Sequence, residues 1–383
     1  MPTNQLTDEA LQTLSEVEAD EPVVVSLFFD LDPRTFAAPP ARESQVNSLL
    51  SELDALIDDE GISRDARQSL QADRERVESF LRDDPDVEGA GALAVYASHA
   101  FDTFIAVKLP HPIDSAVAID QWPLLEPVVG LQDQRDWCVL LVTRESARIL
   151  RGGPTGLREV NDVHTDVKNQ HSKGGWSQAR FQRSVEQEVE WHLERATDLL
   201  MRQYKRRPFA HLVIGANNES LRPALTSETH SYLSERIRGW VDIDERHASP
   251  DEVLEAVRGV MDDHLAQAER ELFDRFDQEL ATDGRAVEGV DAVLAALVER
   301  KVETLIVREN AEAAGVKCVT CGWLGSAGAQ RCPVDGTALD AVENVVEPAI
   351  QAAIQQAADV HRIRESYGAE PPFSAPVAAV LRY

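Results

Sequence analysis

Apolar residues recur along this chain in two rhythms, and each change of rhythm marks an element. Residues 7–17 (TDEALQTLSEV) carry the three-to-four spacing of a short amphipathic helix. PVVVSLFFDLDP, an apolar run rich in β-branched residues, predicts a buried strand. Helical spacing returns over 41–58 and 63–83, after which GALAVYAS and FDTFIAVKL predict two more strands. Together these form an α/β unit. The Pro-marked segment from Pro110 to Pro127 is its natural boundary, a linker to the second unit.

That second unit opens with WCVLLVT, ARILRGG and LREVND, three short strands joined by the turns RES and GPTG, which predict an antiparallel meander. From Ser177 to Tyr204 the residues Phe181, Val185, Val189, Leu193, Ala196, Leu200 and Tyr204 recur every three or four positions. That spacing predicts an amphipathic helix packed on the sheet. FAHLVIGA and WVDIDE supply further strands, and Ser249-Pro250-Asp251-Glu252 is a capping box opening a long helix that reaches toward Leu280.

Beyond ATDGRA the order is helix (288–300), strand VETLIVRE, a cysteine-bearing insert, helix (345–358), strand DVHRIRE and the closing PVAAVLRY. Alternating elements of this kind predict a small α/β/α sandwich. The expectation is therefore an α/β protein of three domains: 1–130, 131–284 and 285–383, the last carrying the insert at 316–340.

At 383 residues with 43% apolar content the chain is long enough for two or three cores. It has no apolar run long enough to span a membrane, and MPTNQLTDEALQ lacks the basic and apolar regions of a signal peptide, so the expected location is the cytoplasm. The formal charge of −29 makes the surface as a whole repel polyanions, so any RNA contact has to be local. Six of the 38 basic residues are Lys and the rest Arg, a bias that GC-rich coding and salt adaptation explain equally well.

Four cysteines are too few for a disulfide framework in a chain of this length, and three of them cluster. Cys138, inside WCVLLV, reads as a buried small hydrophobe. In CVTCGWLGSAGAQRCPVDG, Cys318 and Cys321 have the C-x2-C spacing that lets two thiolates share one tetrahedral zinc. Cys332 opens a second knuckle whose fourth position is Asp335, a carboxylate that also ligates zinc. The expectation is a closed structural zinc site with no open position for catalysis; the alternative is a degraded knuckle that folds by its turns alone.

HSKGGWSQARFQR is the other feature that carries chemistry. Between His171 and Arg207 lie eight Lys or Arg residues and five acidic ones, so this stretch is locally positive. Gly174 and Gly175 let backbone approach a ligand closely, and the N-terminus of the following helix favours phosphate. Taken alone, the same residues also read as a flexible loop tip, an N-cap at Ser177 and a solvated Arg face.

Read with its neighbours, GGWSQARFQRSVEQEVEWHLERATDLL resembles the glycine-glycine-glutamine loop and following helix of archaeo-eukaryotic class-I peptide release factors. Gly174, Gly175, Ser177, Arg180, Phe181 and Arg183 match that pattern, while Trp176 stands where the family has its catalytic Gln. VAAVLRY resembles the closing strand of the family's third domain, and the cysteine insert its zinc-bearing mini-domain. The likeness covers residues 135–383 well. It is nearest to the bacterial branch and to Vms/ANKZF-type peptidyl-tRNA hydrolases.

The resemblance implies an RNase H-like middle domain and a C-terminal domain of the kink-turn-binding ribosomal-protein type. It also implies an RNA-contacting loop of His171, Lys173, Gly174, Gly175, Trp176, Ser177, Arg180 and Arg183. Gln178, two residues past the usual position, is the implied catalytic group. The partners would be the ribosome near its peptidyl-transferase centre, the tRNA CCA end and a translational GTPase, with no membrane. The first unit has no match to the stop-codon-reading patterns Asn-Ile-Lys-Ser and Tyr-x-Cys, which favours codon-independent release from stalled ribosomes. Two alternatives stay open: a non-catalytic hibernation or stress factor of the same architecture, favoured by Trp176, and an acidic α/β protein without RNA business.

Overall fold

The computed structural model describes residues 4–31, 39–83, 85–87, 90–109, 112–131, 137–154, 156–164, 178–216, 221–244, 246–282, 284–364 and 368–383; at 4, 5, 39, 162–164 and 178–186 the description is of backbone alone. The chain is a mixed α/β, multidomain protein. It divides into two compact units, Met1–Gln132 with Leu265–Tyr383, and Asp133–His264.

The N-terminal part of the first unit contains β1 (Asn4–Gln5), α1 (Asp8–Ser15), β2 (Val24–Asp30), α2 (Pro39–Ile57), α3 (Arg64–Arg82), β3 (Ala92–Ser98), β4 (Thr103–Leu109) and β5 (Ala116–Asp120). They form a sheet ordered β1-β4-β3-β2-β5, antiparallel except for the β1–β4 pair. Alternation along β2 decides which side chains face which layer. Leu27 and Phe29 meet Leu49, Leu53, Leu70, Val77 and Phe80 of α2 and α3. Phe28 turns to the opposite face with Leu11 and Leu14 of α1.

The stretch 110–127 is more than a linker. It carries β5, which pairs with β2 from Val24↔Asp120 to Phe28↔Ala116, and the fully buried Leu125, and it is followed by Val128 and Val129, also fully buried. The prolines that suggest a linker lie outside the strand, where an edge strand tolerates them.

The second unit contains β6 (Trp137–Val142), β7 (Ser146–Gly153), β8 (Gly156–His164), α4 (Gln178–Arg206), β9 (His211–Gly215), α5 (Leu221–Glu228), α6 (Ser231–Ser234), β10 (Ile237–Val241) and α7 (Pro250–Ala281), whose residues from Leu265 onward belong to the first unit. Its sheet is ordered β10-β9-β6-β7-β8: β6 to β8 form the expected antiparallel meander, and β9 and β10 run parallel to β6. Every residue of β6 is buried, because both faces are covered. On one side Leu193, Ala196 and Leu200 of α4 pack on Cys138, Leu140 and Ile149; on the other Val253, Val257 and Met261 of α7 pack on Val139, Leu141 and Val213. Cys138 is fully buried, as its apolar setting predicts, and burial pushes its thiol up to about 12. The capping box forms: Ser249 N–H donates to Glu252 Oε2 at 2.8 Å and Glu252 N–H to Ser249 Oγ at 3.3 Å.

The C-terminal part of the first unit contains β11 (Ala286–Glu288), α8 (Val290–Val298), β12 (Val302–Val307), β13 (Gly315–Lys317), β14 (Leu324–Ser326), β15 (Asp340–Val342), α9 (Val346–Gln355), β16 (Asp359–Arg362) and β17 (Val377–Leu381). The sheet β11-β17-β12-β16 is covered by α8 and α9 on one face and by Phe273 and Phe276 of α7 on the other, the expected α/β/α sandwich. Ala349, Ile350 and Ala353 of α9 share one continuous core with Leu14, Phe28, Tyr96 and Val107. The two ends of the chain thus complete a single hydrophobic interior. The ribbon β14-β13-β15 leaves the sandwich between β12 and α9 and carries the cysteines.

Candidate functional site

α4 is 29 residues long and begins at Gln178, so the glycine pair stands directly ahead of a helix N-terminus in sequence. Such a terminus offers unpaired N–H groups and the positive end of the helix dipole. His171, Lys173, Gly174, Gly175, Trp176 and Ser177 lie outside the described residues, as do the side chains of Gln178, Arg180, Phe181 and Arg183.

The shank of α4 is well anchored. Leu193, Ala196 and Leu200 are at most 1% exposed, and burying each leucine stabilises the packing by about 1.5–3 kcal/mol. At the far end Arg151 of β7 donates to the carbonyls of Arg207 at 2.8 Å and Pro208 at 3.1 Å, and its guanidinium lies over the Phe209 ring. Trp191, which the apolar periodicity leaves unmarked, is 60% exposed. Its position two residues off the buried stripe is the signal that locates it on the outer face.

The cysteine insert builds two turns of the same design. In the first, Gly322 N–H donates to the Cys318 carbonyl at 2.8 Å and Cys318 N–H to the Trp323 carbonyl at 2.8 Å. In the second, Gly336 N–H donates to the Cys332 carbonyl at 2.9 Å and Cys332 N–H to the Thr337 carbonyl at 2.8 Å. Gly322 and Gly336 close the turns with φ of 72° and 76°, where a side chain would be strained. Asp335 therefore occupies in the second turn the place Cys321 occupies in the first.

The four donor groups, Cys318, Cys321, Cys332 and Asp335, converge within 4.8 Å of one another. Asp335 Oδ2 is 3.5 Å from Cys318 Sγ, and Cys321 Sγ is 3.4 Å from Cys332 Sγ. Donors this close cannot all ionise without a cation between them. Asp335 is held down to about 2, mainly by the Thr337 N–H. For Cys318, burial raises the thiol but the N–H groups of Cys321 and Thr320 and the neighbouring sulfurs together bring it below its ordinary value. Cys321 accepts from the Trp323 N–H, yet burial and the adjacent sulfurs push it up to about 12. Three soft sulfurs and one oxygen gathered this closely fit a borderline dication such as zinc.

A buried polar network in the first unit was not foreseen. Glu347, 3% exposed at the start of α9, accepts from the N–H groups of Leu125 at 2.9 Å and Glu126 at 3.0 Å. Glu126 in turn accepts from Arg362 Nε at 2.6 Å and from Asn310 N–H at 3.2 Å, beside a cavity of about 580 Å³. These partners are 184 to 236 residues apart in the chain, so no local pattern announces them.

Parts of this chain are similar to known proteins. Residues 123–260 match the model of the bacterial archaeo-eukaryotic release factor family 10. Peptide chain release factor subunit 1 of Thermococcus sibiricus is 26% identical over 275 residues, 67% of this chain and 64% of that protein. Its counterpart from Thermococcus kodakarensis is 25% identical over 57% of this chain and 55% of its own length. The chain thus spans less than two thirds of the length of these relatives. Among solved structures, the archaeal translation termination factor aRF1 aligns over 99% of both chains at 16% identity with a TM-score of 0.25. Archaeoglobus fulgidus Pelota aligns over 76% of this chain and 79% of its own at 13% identity and 0.35. In its middle segment, and over the longer stretch that the Thermococcus relatives share with it, this chain is similar to bacterial archaeo-eukaryotic release factors.

Proposed function

We propose that the chain is a ribosome-associated peptidyl-tRNA hydrolase that frees nascent chains from stalled ribosomes or large subunits without reading a codon, in the manner of Vms/ANKZF-type enzymes. What supports this is the order of the chain: Gly174-Gly175 stand shortly before Gln178, the first residue of a long helix whose shank is firmly packed, inside the segment matched by the release-factor family. The relatives' name, peptide chain release factor, supports the same reaction.

The reaction is hydrolysis of the ester joining peptide to the terminal ribose of tRNA. Water adds to the ester carbonyl carbon, the carbon–ribose oxygen bond breaks, and the ribose hydroxyl leaves with a proton. Gln178 orients that water or the ribose, through its side chain or its N–H. Gly174 and Gly175 let the loop backbone approach the CCA end. Trp176 stacks on one of its bases, and His171, Lys173, Ser177, Arg180 and Arg183 hold phosphates. Cys318, Cys321, Cys332 and Asp335 would hold a zinc ion that ties the two turns together and supplies no chemistry at the ester. A translational GTPase is the fitting delivery partner, and the cytoplasm the fitting location.

The test is release of a defined nascent chain from stalled large subunits. Gln178→Ala is expected to abolish release while leaving sedimentation with the subunits intact; equal release by parent and variant removes Gln178 from the mechanism. Trp176 at the usual Gln position favours one competing reading, a ribosome-occupying hibernation factor without chemistry. Sedimentation with ribosomes and no release by the parent protein selects that reading.

A further inference from the structure

Resting on the ribosome reading above, we infer that the outer face of α4, well beyond the glycine loop, is a second RNA-binding surface. It takes a single-stranded or looped RNA segment through Trp191, Arg195, Arg202 and Lys205.

Four positions carry the argument. At 3.6 residues per turn, Trp191, Arg195, Arg202 and Lys205 fall within roughly 40° of one line along the helix, a stripe roughly 21 Å long. All four are exposed. About four helical turns bear a flat aromatic ring at one end and three cations beyond it. The opposite side of the helix is the buried stripe of Leu193, Ala196 and Leu200, and among the described residues nothing large and apolar packs on the outer face.

Among the described residues the cations are also unpaired. Among the described residues, Arg195, Arg202 and Lys205 make no ion pair or side-chain hydrogen bond, although the chain carries 67 acidic residues against 38 basic ones. Arg82, Arg246 and Arg285, exposed as well, are each tied to a carboxylate. Asp198 lies within the stripe and Glu194 beside it, and neither pairs with the three bases. In so acidic a chain, cations left free in a row on one rigid helix match an evenly spaced polyanion.

The aromatic ring chooses between polyanions. The exposed large apolar side chains among the described residues of the second unit are Trp191 and Tyr232, both 60% exposed and both aromatic. Tyr232 is stacked on His230 at 5.1 Å and 6°. A protein-docking face would bury a contiguous apolar centre, which this face lacks. A solitary indole one helical turn from a free guanidinium suits a base and its phosphate, since every base offers a π-face and stacking on an aromatic side chain is sequence-tolerant.

The test uses the full-length chain with three probes: purified large ribosomal subunits, an unstructured oligouridine, and heparin as a polyanion without bases. Arg195→Glu/Arg202→Glu/Lys205→Glu is expected to weaken oligouridine binding at least tenfold. It should also flatten the plot of log affinity against log salt by about 2, since each phosphate contact to a single strand contributes about 0.7 to the slope. Trp191→Ala is expected to weaken oligouridine about tenfold and leave heparin affinity unchanged; all these positions are exposed, so circular dichroism and melting temperature stay those of the parent. Unaltered oligouridine binding by both variants overturns the inference, and so does a parent protein that binds heparin but no RNA, the behaviour of a face made for an acidic protein. Ribosome sedimentation separates the two levels: a parent that does not sediment removes the ribosome reading, whereas variants that sediment like a sedimenting parent remove the α4 surface alone.

Discussion

Asp335 lies 3.5 Å from the Cys318 sulfur, in the position of the second turn that Cys321 fills in the first. The same backbone pattern delivers a thiolate in one turn and a carboxylate in the other, so the replacement of sulfur by oxygen leaves the geometry of the donor set intact. What changes is affinity, because a carboxylate is a harder and weaker partner for zinc than a thiolate.

The purified chain should therefore carry one zinc per molecule, and stripping it with a chelator should lower the melting temperature. Asp335→Cys should retain the metal and resist the chelator more strongly, while Cys318→Ser loses it. Elemental analysis beside thermal melting reads all three; a metal-free parent whose Cys318→Ser variant is equally stable would falsify the assignment.

The loop chemistry can be probed by moving the amide. Trp176→Gln restores the family's usual residue, and if Gln178 acts from two positions on, Trp176→Gln/Gln178→Ala should recover part of the release that Gln178→Ala loses. Single-turnover release from peptidyl-tRNA on large subunits measures it. No recovery above Gln178→Ala would mean that the loop cannot present the group from the usual position.

Glu347 makes folding depend on pH. Burial raises its carboxyl to about 8 from an ordinary 4.5, against the pull of two backbone N–H donors and with help from the charges of Glu126 and Asp120. The folded chain then holds a proton that the unfolded chain releases, so this contribution to stability is complete below pH 4.5 and is lost as pH rises through about 8. Glu347→Gln should flatten the stability–pH curve over that window. It should also cost about 1–3 kcal/mol at low pH, because an amide oxygen cannot serve both N–H groups. Urea denaturation at a series of pH values measures both, and an unchanged pH slope in the variant would rule the carboxyl out as its source.

The capping box offers a local check on α7. Ser249→Ala removes the acceptor for Glu252 N–H and the partner of its carboxylate, and should destabilise the second unit by about 1 kcal/mol. The Glu252 carboxyl, held low by Ser249, should titrate closer to its ordinary range in the variant. Carboxyl-detected NMR titration reads the shift, and an unmoved Glu252 would show that these hydrogen bonds do not hold in solution.

Much of this protein was legible in one dimension, for identifiable reasons. α4 follows from periodicity, because a helix that buries one face must repeat its apolar residues at its own pitch; α7 follows from its capping box, and the strands β2, β6 and β12, buried almost throughout, follow from near-continuous apolar runs. The knuckle was legible because its donors are local: two residues apart in each turn, with glycine where φ is positive. β5 was hidden by the prolines flanking it. Trp191 was hidden by a pattern that marks what is buried and says nothing of what is exposed.

By itself the sequence determined the elements, the four donors and the glycine loop heading a basic helix, since each depends on residues a few positions apart. Only the tertiary structure decided that Leu14, Phe28 and Tyr96 share a core with Ala349 and Ile350, and that Glu347 clamps Leu125 and Glu126. It alone showed which cations of α4 stay unpaired among the described residues. Those outcomes depend on contacts across more than two hundred residues and on which surfaces the packing leaves uncovered, and neither quantity has a signature in local spacing.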